Sequence, residues 1–134
     1  MRQINKIIIH CSATPEGRHV TVREIDRWHK DRGFDRIGYH YVIYLDGTIH
    51  RGRPDSIPGA HTAGHNSKSI GVCYIGGVDK QMRAKDTRTP AQLIAIRELI
   101  KSLKRTFPNA TIHGHNEFAA KDCPSFDVQK EFEL

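Results

Sequence analysis

A chain of 134 residues has room for one hydrophobic core, and 37% hydrophobic with 27% charged residues is a globular composition, not a disordered or fibrous one. The apolar run at the start, Ile7-Ile8-Ile9, is far too short for a signal-peptide core or a membrane span, so synthesis in the cytoplasm without membrane insertion is expected. A formal charge of +6 favours polyanions without naming one, and the sparse aromatics offer no stacking platform for bases; no specific nucleic-acid binding is expected.

"KIIIH" (6–10) reads as a short strand buried on both faces, running out at His10 into the loop "CSATPEGRHV". Thr21 and Glu24 have the spacing of a capping box, and Val22, Ile25, Trp28 and His29 form a helical stripe that Gly33 can end. "YHYVIYLDGTIHRG" reads as two strands joined by a two-residue turn at Asp46-Gly47. Residues 53–68 lack periodicity and form a long loop, a place where function often sits. "SIGVCYIGG" is a second buried strand. Thr89-Pro90-Ala91-Gln92 opens a long helix with apolar positions Leu93, Ile96, Leu99, Ile100 and Leu103. "ATIHGH" is a last strand, with a short helix after Ser125. The interleaving predicts an α/β fold: one domain over 1–134, with a central mixed β-sheet flanked by helices and chemistry carried on loops at the strand ends.

Three cysteines without a secretion signal argue against a disulfide framework, and Cys73, inside an apolar strand, reads as a buried inert thiol. "HGHNEFAAKDCPSFD" (113–127) gathers imidazole, ammonium and thiol. His115 and Cys123 lack the short paired spacing of a structural zinc site. A catalytic zinc, however, takes three ligands from distant segments, and His10, where the first strand ends, is the natural third. His113 and His115 share a strand face under a period of two, so spacing alone leaves open which of them binds. The rival reading makes Cys123 or Cys11 a thiol nucleophile, although neither opens a helix that would lower its pKa. His19, His29, His40, His50 and His65 read as surface or satisfied core residues.

The blocks "IIIHCSAT", "VREIDRWHKDRGFDRIGYHYVIYLDGTI", "GAHTAGHNSKSIGVCYIGG", "TPAQLIAIRELI" and "HGHNEFAAKDCPSFD" cover the chain from about Ile4 to Phe132. In this order they resemble the zinc-dependent N-acetylmuramoyl-L-alanine amidases of the phage-lysozyme type and, more distantly, the peptidoglycan recognition proteins. The resemblance implies one zinc ion held by His10, His115 and Cys123, with Tyr39 and Lys121 at the non-ligand catalytic positions and His61 facing substrate. It implies hydrolysis, by zinc-activated water, of the amide between N-acetylmuramic acid and the L-alanine of the stem peptide in peptidoglycan. A phage or prophage endolysin, acting on the cell wall after release from the cytoplasm, is the expected role. The alternatives are a cytoplasmic wall-recycling amidase and a non-catalytic muropeptide-binding module, a type that lacks the cysteine ligand. A monomer without a separate wall-binding domain is expected. Only nine residues precede His10, so the RNA polymerase binding that a longer N-terminal extension confers within the family is not expected.

Overall fold

The computed structural model describes residues 2–132. The strands are β1 (Lys6–Cys11), β2 (Thr14–Pro15), β3 (Tyr41–Ile43), β4 (Ile49–Arg51), β5 (Ser69–Tyr74), β6 (Gly77–Val78) and β7 (Thr111–Gly114). The helices are α1 (Val22–Asp31), α2 (Pro90–Thr106) and α3 (Val128–Glu131). Five strands make one mixed sheet in the order β4-β3-β5-β1-β7, parallel except for the β3–β4 hairpin. This is the expected mixed sheet flanked by helices. Strand β1 lies between β5 and β7, with His10 level with Cys73. Ile7, Ile8 and Ile9 are wholly buried, as a strand covered on both faces requires.

Alternation along the strands sorts the side chains onto two faces. Ile7, Ile9, Tyr41, Ile43, Ile70, Val72, Tyr74 and Ile112 share one core with Ala95, Ile96, Leu99, Ile100 and Leu103 of α2 and Val128 of α3. On the other face Val42 joins Val20, Ile25 and Ile37 in a smaller cluster under α1. His10 alternates with Ile9 and so lies on the α1 side. That placement creates the site.

Local signals behave as their chemistry predicts, with four departures. Helices α1 and α2 start with complete capping boxes, Thr21/Glu24 and Thr89/Gln92, and Pro90 takes the first position of α2. The hairpin turn is not a two-residue one: Ile43 pairs with Ile49, the Gly47 amide donates to the Tyr44 carbonyl, and the Tyr44 amide donates to Thr48. Gly47 sits at φ +85, the left-handed position that closes a three-residue loop, which an Asp-Gly pair serves equally well. The expected 11–20 loop contains β2, whose two residues pair with β6. Strand β7 stops at Gly114, and His115 opens a short 3-10 turn, so His113 and His115 do not share a strand face. On α2, Leu93 is only half-buried, while Gln92 is fully buried. Its side-chain amide donates to the Ile43 and Ile75 carbonyls at 3.3 and 3.0 Å, tying α2 to the ends of β3 and β5. No helix among the described residues is long and apolar enough to cross a membrane.

Candidate active site

Three segments meet at the end of β1. β1 delivers His10, the turn after β7 delivers His115, and the loop before α3 delivers Cys123. One ligand atom from each lies within 4.8 Å of the other two, and His10 Nδ1 is 3.8 Å from Cys123 Sγ. Tetrahedral zinc with ordinary bond lengths sets its nitrogen and sulfur ligands about 3.6 Å apart, and the His10–Cys123 pair already stands near that spacing. The cysteine loop is pinned by its neighbours: Tyr74 Oη donates to the Pro124 carbonyl at 2.6 Å, and Ser125 Oγ to the Gly77 carbonyl at 2.7 Å. The Cys11 amide donates to Cys123 Sγ at 3.2 Å, a bond that favours sulfur as an acceptor.

Beside this group opens a cleft of about 440 Å³ whose lining includes Tyr39, His61, His115 and Lys121 together with His29, Arg32 and Phe34. The His10 ring lies beneath, 1% exposed, with the rings of His115, His61 and Tyr39 at 4.6, 4.8 and 5.1 Å between centroids. All six residues singled out by resemblance therefore gather here. His61 lines the cleft but also reaches below it, its Nδ1 2.8 Å from His10 Nε2.

The electrostatics suit a cation site. Burial, followed by the neighbouring His61 and His115 rings and the Lys121 ammonium, pushes His10 well below the usual imidazole range. Burial and then Lys121 lower His115 as well. Both rings are therefore neutral near pH 7, the form that ligates metal. Burial raises the Tyr39 phenol well above its usual value, so it keeps its proton. The neighbouring Cys11 side chain and then burial push the Cys123 thiol well above its usual range, outweighing the opposing Cys11 amide. A thiol in that state is a poor nucleophile. Cys11 is the lower of the pair, yet only 4% exposed, packed in the α2 core and not among the residues that line the cleft. Neither cysteine has the setting of a thiol hydrolase.

The remaining histidines divide. His19 is exposed, and His50 stacks on Tyr44 with ring centroids 3.6 Å apart. His113 pairs with Glu117 at the surface. His40 is a satisfied core residue: Nδ1 accepts the Gly71 amide at 3.0 Å, leaving Nε2 to donate to the Ile57 carbonyl at 2.8 Å. His29 is a correction in part. Its Nδ1 accepts the Gly38 amide at 2.8 Å as a core residue would, but its ring also lines the cleft. Its place on the buried stripe of α1 was visible in the sequence. That the stripe overlooks a cleft was not.

Residues 1–126 match the sequence family described as N-acetylmuramoyl-L-alanine amidase. The chain belongs to that family. It is a peptidoglycan hydrolase that carries N-acetylmuramoyl-L-alanine amidase activity. It is 42% identical to the endolysin of Escherichia phage T7 over 127 residues, 95% of this chain and 84% of the relative. It is likewise 42% identical to the endolysin of Klebsiella phage KP32, over 98% of this chain and 87% of the relative. Among solved structures, the amidase LysC of Clostridium intestinale superposes with a TM-score of 0.84 at 29% identity, covering 97% of this chain and 82% of the other. Drosophila PGRP-LB superposes at 0.82 and 27% identity, with 98% and 80% covered. The amidase thus shares its fold with lytic enzymes and with a peptidoglycan recognition protein.

Proposed function

We propose that this amidase is zinc-dependent and serves as an endolysin, cutting the bond between N-acetylmuramic acid and L-alanine in intact wall. The observation that carries the zinc reading is the approach of two imidazoles and one thiol, from three distant segments, to within 4.8 Å of one another. Nitrogen and sulfur donors in that number suit zinc and leave a fourth position open. When bound, the ion would bring the pKa of a water toward about 7 and polarise a carbonyl.

The chain's own residues do the rest. An amide resists hydrolysis because its carbonyl is a weak electrophile and its amine leaves badly. The Lys121 ammonium, on the cleft wall beside both histidine ligands, supplies positive charge where the carbonyl oxygen becomes negative. Tyr39 holds its phenolic proton, so it can donate a hydrogen bond to that oxygen or to the departing nitrogen. The cleft holds the stem peptide so that its first amide lies over the floor where His10 is buried. One related structure, at TM-score 0.82 and 26% identity, is a tyrosine-to-phenylalanine variant of Drosophila PGRP-LB in complex with tracheal cytotoxin. The endolysin names of the phage relatives favour intact wall over imported fragments as the substrate here.

Purified sacculi and soluble muropeptides, each incubated with the metal-loaded and the chelator-stripped protein, test both parts. The expected result is release of L-alanine amino termini from sacculi, lost on stripping and restored by zinc. Undiminished release from a verified metal-free preparation would overturn the zinc reading. Turnover of soluble fragments alone would replace the endolysin with a recycling enzyme.

A further inference from the structure

The histidine ligand on β1 has two ring nitrogens, and the structure gives each a different neighbour. Nδ1 faces Cys123 Sγ at 3.8 Å, and Nε2 faces away from it, 2.8 Å from His61 Nδ1. A ring that offers Nδ1 to a cation carries its proton on Nε2. That N–H then donates to His61 Nδ1, with Thr62 Oγ1 at 3.3 Å as a second acceptor. His61 Nδ1 must keep its lone pair free for this, so the His61 proton sits on Nε2, where Ser69 Oγ waits at 3.3 Å. The chain His10 to His61 to Ser69 therefore has one consistent direction.

The seat of His61 is built for this contact. Its amide and that of Thr62 both donate to Asn66 Oδ1 at 2.9 Å, which fixes the backbone on either side of the ring's attachment. The ring itself fills the space left by two glycines. A Cβ on Gly71 of β5 would stand 2.7 Å from His61 Cδ2 and 2.8 Å from Cγ, and one on Gly59 would stand 2.6 Å from Cδ2. The strand beside β1 thus gives up a side chain where the ring needs room.

We propose that His61 is a positioning residue: it accepts the His10 Nε2 proton, fixing that ring's tautomer and orientation for metal binding. The proposal rests on the zinc reading and gives the position assigned to substrate contact a second task. Ring partners of this kind typically change metal affinity by about 10- to 100-fold when removed.

The test is zinc affinity of the full-length protein, measured by competition with a chromophoric chelator, for wild type, His61→Ala and His61→Gln. His61→Ala should bind zinc about 10- to 100-fold more weakly, and His61→Gln, whose side-chain carbonyl can accept the same N–H, should recover much of the loss. Long-range proton–nitrogen NMR of ring-labelled, zinc-loaded wild type should show a slowly exchanging proton on His10 Nε2. Wild-type affinity in His61→Ala overturns the proposal while leaving the zinc site intact. Failure of the wild type itself to bind zinc overturns the site reading instead. Should His61→Ala prove unfolded by circular dichroism, the NMR observation decides alone: a bare or rapidly exchanging His10 Nε2 overturns the proposal.

Discussion

The two faces of the sheet use the same strands and the same alternation but solve opposite problems. On the α2 face, isoleucines, valines and leucines interlock, and exclusion of water is the whole of their task. On the α1 face the alternating positions include His10, His40, Gly71 and Cys73, so imidazoles occupy places that the first face gives to aliphatic chains. Each buried ring must then find a partner, because an unpaired polar group in this setting costs about 1–3 kcal/mol. The amides of Gly38 and Gly71 and the carbonyl of Ile57 supply such partners. One face is stable by packing. The other is stable only while its rings remain neutral and paired.

The sharpest way to break this contrast is to damage the chemistry of one face and look for damage on the other. Cys123→Ser should lose zinc and amidase activity together, with secondary structure by circular dichroism unchanged. Lys121→Ala should keep zinc and lose about 100- to 1000-fold in turnover, the usual effect of removing one oxyanion donor. A Lys121→Ala enzyme with wild-type turnover would take that residue out of the mechanism. The counterpart on the packing face is Ile96→Ala. Ile96 is fully buried, and its truncation should cost about 2–5 kcal/mol in chemical denaturation while zinc content stays at one per chain.

The same contrast governs what the sequence revealed. The α2 core could be read directly, since a 3.6-residue period and runs of β-branched residues are local signals, and both capping boxes sit within four residues. The exceptions arose where a local pattern serves two geometries. Asp46-Gly47 fits a two- or a three-residue turn, and Gln92 could be seen as a cap but not as the donor to two strand ends. The β2–β6 pair is too short to leave a pattern. The site was different in kind. Nothing local says that His10 and Cys123, 113 positions apart, face each other, and resemblance supplied that link. The contacts of His61 with His10 and Ser69 stayed hidden, because a loop histidine and a strand serine carry no periodic signature.

Acid should separate the faces next. Burial holds His40 down to about 4, against an ordinary value near 6.5. Between those values the unfolded chain binds a proton that the folded one refuses, so stability rises with pH across this window. As pH falls from about 6.5 to about 4, this group alone withdraws about 3 kcal/mol, and below that range its contribution is constant. In metal-stripped protein, His40→Gln should flatten the stability–pH slope by about 1.4 kcal/mol per unit within the window. An unchanged slope would mean that the ring is already accessible to protons in the folded state.

The smallest expected effects come from the helix caps, one on each side of the sheet. Thr89 Oγ1 accepts the Gln92 amide at 3.0 Å and donates to the Leu45 carbonyl at 2.8 Å, while the Thr89 amide donates to Gln92 Oε1 at 2.9 Å. That cap ties α2 to the β3–β4 hairpin as well as closing the helix. Thr21 makes the equivalent bonds to Glu24 at 3.3 Å, and both are exposed to water, which can replace them. Thr-to-Ala changes at caps cost about 0.5–2 kcal/mol. Thr89→Ala should fall near the top of that range because it also strands the Leu45 carbonyl, and Thr21→Ala near the bottom. Urea melts resolve the difference through the midpoint at constant slope. If Thr21→Ala proves the costlier, α1 owes more of its stability to its own terminus than to packing under Ile25, and the cleft face is held together more locally than its buried rings imply.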